Sequence, residues 1–197
     1  MIHVNSEIGA LKSVIVHRPD DGIARISPKK AEELLFDDIV HLPQMKEEHD
    51  IFRQVLQLLI GIDNVLDTEK LIIAGFDESP EIKEELIDKI VDYEELPTSV
   101  KQFFMTLPHE SLTRVLITGY HENDDHIYFD PIPNFIFTRD IAVVIKDHVI
   151  ITKAAKSARY RENLLTRFIF YANPIFKDLN GRGKVINLNH LDKFPPS

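Results

Sequence analysis

The sequence contains no cysteine, which removes disulfides, thiolate–zinc sites and any thiol nucleophile from these 197 residues. No apolar run approaches the ~18 residues of a membrane span. Positive charge is in the minority, with 23 Lys and Arg against 32 Asp and Glu, and no basic patch stands out. Nucleic acid and anionic membranes are therefore not expected as partners. The net charge of −9 does not by itself select a cationic substrate, since acidity also serves solubility. No glycine-rich phosphate loop occurs, and the nine histidines are scattered without ligand spacing. Neither a metal nor a cofactor is expected. The stretch Met1-Ile2-His3-Val4-Asn5-Ser6-Glu7 has no basic leader followed by an apolar core, so a cytoplasmic location is expected.

What is present is ordinary globular material, 44% hydrophobic and 28% charged, with strand and helix signals in alternation. Leu11 to Val16 reads as a buried strand ending at the turn cluster Arg18-Pro19-Asp20-Asp21-Gly22. Ser27-Pro28 predicts the start of a short helix through Leu35. Leu42 to Ile60 predicts a long helix whose buried face carries Phe52, Val55, Leu56, Leu59 and Ile60, with Gly61 as its stop. Four helices then follow in succession: Glu69 to Ala74, Ser79 to Val91, Thr98 to Met105 and His109 to Ile117. After the turn residues Asp130 to Asn134, Phe135 to Phe137 reads as a short strand. Ile141 to Ile145 and Val149 to Thr152 read as a hairpin, Arg159 to Tyr171 as a helix and Lys184 to Leu188 as a strand. The class is α/β, with residues 67–119 a helical insertion between segments 1–66 and 120–197.

The stretch with most chemical content is Asn134-Phe135-Ile136-Phe137-Thr138-Arg139-Asp140, which places an acid at the end of an apolar segment. Nineteen positions later comes Arg159, followed by Arg161 and Glu162. A carboxylate that grips a planar cation and a guanidinium that grips a carboxylate suit an amino acid such as arginine. The same pair also reads as a structural ion pair. Asp37-Asp38 reads as a solvated turn.

Pro133 to Asp140 resembles the PNxxFTRD motif of arginine deiminases. Ser6 to Pro19 resembles the SEIGxLKxVxxHRP opening of that family, and Leu34 to Ile39 its LLFDDI motif. Glu48-His49-Asp50 with Phe52 is similar to its EHDxF helix. Arg159-Tyr160-Arg161-Glu162 falls at its Arg-rich run, with Asn163 where the family has Thr. The resemblance implies a chemistry: a Cys thiolate attacks the guanidinium carbon of arginine, ammonia leaves, and water releases citrulline. It implies that Asp140 is one of two carboxylates holding the guanidinium. Arg159 is then expected to bind the substrate carboxylate, with Asn134 and Phe137 lining the pocket. It further implies a five-bladed α/β propeller, of which this chain supplies roughly the first two ββαβ units. The family's second carboxylate, His-x-Asp pair and Cys are expected beyond this chain, and His190-Leu191-Asp192 is read as a chance match. The end at Lys193 to Ser197 suits a truncated piece, inactive alone, whose open edge and apolar surface predict a homo-oligomer. Two alternatives stay open: a naturally short, non-catalytic binder of arginine or of a partner enzyme, and part of an amidinotransferase or methylarginine hydrolase.

Overall fold

The computed structural model describes residues 2–36 and 40–190. The paired acids Asp37-Asp38 and the Leu191-Asp192 portion of the His-x-Asp match lie outside the described residues.

The chain opens with strand β1, Val14–Val16, shorter than the expected strand from Leu11. Helix α1, Leu42–Ile60, takes Pro43 in its first turn and ends at Gly61, whose φ of 90° lies outside the range other residues favour. Strand β2, Val65–Asp67, returns parallel to β1 with Val14 opposite Val65. The expected helix from Ser27 to Leu35 is replaced by turns. The Leu34 N–H bonds the Lys30 carbonyl and the Phe36 N–H the Ala31 carbonyl, around Leu35 at φ 56°. Leu34 and Phe36 are both buried and Leu35 is not, an alternation that a continuing helix cannot produce.

The helical series appears where its periodicity places it. Helix α2 spans Thr68–Glu78, capped by Asp67, whose side chain accepts from the Lys70 N–H at 3.2 Å. Helices α3, Pro80–Tyr93, α4, Thr98–Thr106, and α5, His109–Thr118, follow. The Ser79 hydroxyl does not cap α3 and donates instead to the Ala172 carbonyl at 3.2 Å. Helix α5 stops at Gly119, where φ is 73° and an added Cβ would lie 1.9 Å from the Phe129 carbonyl oxygen. A short antiparallel pair, β3 (Tyr120–His121) and β4 (His126–Ile127), leads back toward the sheet segments.

Pro133–Ile136 forms a 3-10 turn, not the strand read from Phe135 to Phe137. Its aromatic residue Phe135 is fully buried against the His17 ring, 4.9 Å between centroids, so the apolar signal reflects a core anchor rather than a sheet position. A single turn, α6 (Thr138–Ile141), then feeds the hairpin β5 (Ala142–Ile145) and β6 (His148–Ile151). Helix α7, Tyr160–Ala172, and the short α8, Lys177–Gly181, cross over to β7, Val185–Asn187, which lies parallel to β6. The chain is thus mixed α/β, with sheets ordered β1-β2, β3-β4 and β5-β6-β7, none of them closed among the described residues.

The main core joins α2, α3, α5 and α7 to β6, through side chains such as Ile72, Ile87, Leu116, Phe168 and Ile151. Helix α2 approaches α7 closely at Gly75, where an added Cβ would meet the Phe168 ring at 2.8 Å. A second, small core contains Val16, Leu56 and Val65. The buried face expected for α1 is therefore mostly uncovered: Leu56 is buried, but Phe52, Val55 and Leu59 are exposed, Leu59 at 75%. Periodicity reports that a helix has an apolar side and not whether anything covers it. No helix of the described residues is long and apolar enough to cross a membrane.

Candidate functional site

The segments singled out in the sequence are clasped to one another. The Arg18 guanidinium grips the Asp50 carboxylate with two bonds of 2.8 and 2.7 Å, joining the end of β1 to α1. His17 is buried, with Nδ1 2.6 Å from the Thr68 hydroxyl and Nε2 3.0 Å from Asp20. Asn134 donates from its amide to the Leu34 carbonyl at 2.8 Å, and the Thr138 hydroxyl donates to the Ile15 carbonyl at 2.9 Å. These bonds hold the turn Pro133–Ile136 and helix α6 against the opening segment, which fixes the direction in which Asp140 leaves the backbone.

Asp140 and Arg159 meet. Arg159 closes a 3-10 turn, Ser157–Arg159, immediately before α7, and its Nη1 lies 3.2 Å from Asp140 Oδ2. Its Nε donates to Glu162 Oε2 at 2.9 Å, and its Nη2 sits 2.8 Å from the same oxygen. The Asp140 side chain is 52% exposed and that of Glu162 is 1% exposed, so the two acids that share Arg159 stand in very different surroundings. Burial pushes the Glu162 carboxyl up to about 7, aided by the Asp140 charge and opposed by Arg159 and Arg161. Position in the first turn of α7 suits an acid, because the helix dipole favours negative charge there.

A cavity of about 330 Å³ lies against this cluster, lined by Asp140, Thr152, Lys153, Arg159, Glu162 and Asn163, with Ile141, Ala154 and Ala155. That volume is at the small end of the ~300–1,000 Å³ range of ligand sites. Its far wall is braced by Asn189, which donates to the Thr152 carbonyl at 2.8 Å and meets Asn163 at 3.4 Å. The cavity therefore presents a half-exposed carboxylate, touched on one oxygen by Arg159, and a guanidinium held from behind, the two charge types that a cationic amino acid needs.

Asn134 and Phe137 do not line this cavity. Asn134 is buried with its amide committed to Leu34, and Phe137 is half exposed beside the turn that carries Asp140. Glu162 carried no role in the sequence reading. Its one sequence signal is its place in the Arg159-Tyr160-Arg161-Glu162 run, and the burial of Arg161 to Thr166 is seen only in the fold. A larger, shallower depression of about 440 Å³ between α2 and α5 is lined by Ile73, Asp77, Leu107 and His109 among others. It holds the His109–Asp77 pair, at 3.0 Å, with Thr106 and Glu110 also in its lining. Among the described residues, no group of three or more His, Asp or Glu is arranged to hold a metal ion.

Comparison with known proteins gives the family. The family model described as arginine deiminase matches residues 32–121 and 107–192. A Bacillus cereus arginine deiminase is 33% identical over 200 residues, covering 91% of this chain and 48% of its own length. A Bacillus cytotoxicus relative is 33% identical over 215 residues, covering 98% of this chain and 51% of its own. A Staphylococcus aureus relative is 35% identical over 202 residues, covering 91% and 48% respectively. The chain spans about half the length of the curated relatives it matches. With the family model matching most of its length, this chain belongs to the arginine deiminase family.

Proposed function

We propose that this chain forms the arginine-gripping part of a deiminase-type hydrolase that converts L-arginine to citrulline and ammonia. One observation carries the reading: Asp140 and Arg159 project into a single cavity, 3.2 Å apart, one as a half-exposed carboxylate and the other as a buttressed guanidinium. Asp140 holds the substrate guanidinium, which resists attack through resonance and must be fixed before a nucleophile can add. Arg159 takes the α-carboxylate, and Asn134 and Phe137 act from outside the cavity by holding the segment that carries Asp140. The thiolate comes from outside these 197 residues, which hold no cysteine.

In this reading β5, β6, α7 and β7 make one ββαβ unit, and β1, α1 and β2 contribute to another, of a five-bladed α/β propeller. Residues 67–119 are a helical insertion that shares the main core, and the protein is cytoplasmic. The lack of cysteine equally suits a chain that binds arginine without turning it over.

The test is equilibrium binding of L-arginine, agmatine (no carboxylate) and L-citrulline (no cationic end), with a citrulline assay alongside. Each charge-assisted contact is worth about 1.5–3 kcal/mol, so each analogue is expected to bind roughly 10- to 100-fold more weakly than arginine. Equal affinity for all three ligands overturns the assignment of the two charges. Citrulline formed by the purified chain alone overturns the external thiolate.

A further inference from the structure

Arg159 is claimed by two acids at once. Glu162 holds it from behind with a 2.9 Å bond to Nε, while Asp140 reaches only Nη1, at 3.2 Å and in contact with water. The seat that the proposed function gives to the substrate guanidinium is therefore already touched by a guanidinium belonging to the protein. One buried atom at this junction, Glu162 Oε1, has no hydrogen-bond partner among the described residues. An unpartnered buried carboxylate oxygen costs free energy while the group is charged, so burial works against the ionised form of Glu162.

We propose that Glu162 is a positioning residue that limits Arg159 to a single contact with Asp140, so that loss of the Glu162 charge lets Arg159 close over Asp140 and occlude the cation seat. The proposal rests on the reading of Asp140 as that seat. The charged groups facing Glu162 are Arg159 from the preceding turn, Asp140 from α6 and Arg161 on α7, with Lys153 on the wall of the same cavity. Among the described residues only Arg159 bonds its carboxylate. When Glu162 is ionised it anchors Nε, and Nη1 remains available to a ligand carboxylate. When it is neutral, Asp140 is the stronger partner left to Arg159, and the two can pair through both nitrogens and both oxygens. Burial places the switch near neutral pH, where an ordinary glutamate would stay charged.

The account is read with agmatine, which has the guanidinium and lacks the carboxylate, and therefore does not need Arg159 as a partner. Its affinity is expected to fall about tenfold in Glu162→Gln, to fall likewise in the wild type from pH 8 to pH 6, and to return in Glu162→Gln/Arg159→Gln. A packing role for Glu162 predicts no such return. Unchanged agmatine affinity in Glu162→Gln, or no recovery in the double variant, overturns the proposal. A second readout needs no ligand and no variant: the Nε–H resonance of Arg159 in ¹⁵N-arginine-labelled protein. It is expected to shift with an inflection near pH 7 as its Glu162 partner ionises, and a flat response between pH 6 and 8 overturns the proposal. If agmatine binds none of the proteins while this resonance titrates, the clasp stands and the arginine reading fails.

Discussion

At Glu162, burial costs the ionised carboxyl more than its pairing with Arg159 returns, which is why its midpoint rises to about 7. In the unfolded chain the same group titrates near 4.5, so between these values the folded state holds the extra proton. Stability from this group is therefore fully present below the unfolded value and is lost as pH rises toward 7, by about 3 kcal/mol. Unfolding free energies of the wild type and Glu162→Gln, measured from pH 4 to 8, are expected to converge on a pH-independent contribution in the variant. A wild-type minus variant difference that does not change with pH contradicts the assignment. Asp140 and Arg159 were legible in the sequence because each sits in a recognisable motif. Glu162 stands in the same run as Arg159, but its burial was not legible, because an acid three positions from an arginine reads as a solvated helix pair. Its burial follows from the packing of α7 into the main core against elements distant in the chain.

Helix α7 carries the site because Arg161, one residue before Glu162, is locked. Its Nε donates to the Leu116 carbonyl at 3.0 Å, its guanidinium bonds Glu94 and the Asp130 carbonyl, and it stacks 4.1 Å over the Phe129 ring. One side chain thus ties α7 to α5, to the end of α3 and to the turn before Pro133. Arg161→Met leaves a partly buried acid and two carbonyls without their donor, and is expected to cost about 3–5 kcal/mol in chemical denaturation. A loss below about 1 kcal/mol would mean that the clamp is ornamental. Helix positions such as α1 and α3 were legible to within a few residues, since 3.6-residue periodicity is local. The 3-10 turn at Pro133–Ile136 was not, because an apolar run of that length reads equally as a strand until its anchor on His17 is seen.

Across the whole molecule, α1 is the unfinished part. Ile51, Phe52, Val55, Leu58 and Leu59 are exposed on one helix, Leu58 at 87%, over a core of only three buried side chains. Contiguous apolar surface of this kind drives association. Concentration-dependent sedimentation is expected for the wild type and weaker association for Leu58→Glu/Leu59→Glu, with stability changed by no more than about 0.5 kcal/mol per site. A wild type that stays monomeric at all concentrations removes that expectation. The alternation of strands and helices made the α/β class legible from the sequence. The exposure of α1 was not, because a helix pattern carries no information about the elements that would lie over it.

The most direct test of the central claim is a calorimetric titration of L-arginine into the wild type and Asp140→Asn at pH 8. The account predicts saturable one-to-one binding in the wild type and a loss of at least about tenfold in the variant, whose fold is unchanged because Asp140 is half exposed. Equal affinity in the two proteins would contradict it, and would return the Asp140–Arg159 contact to the status of a surface ion pair.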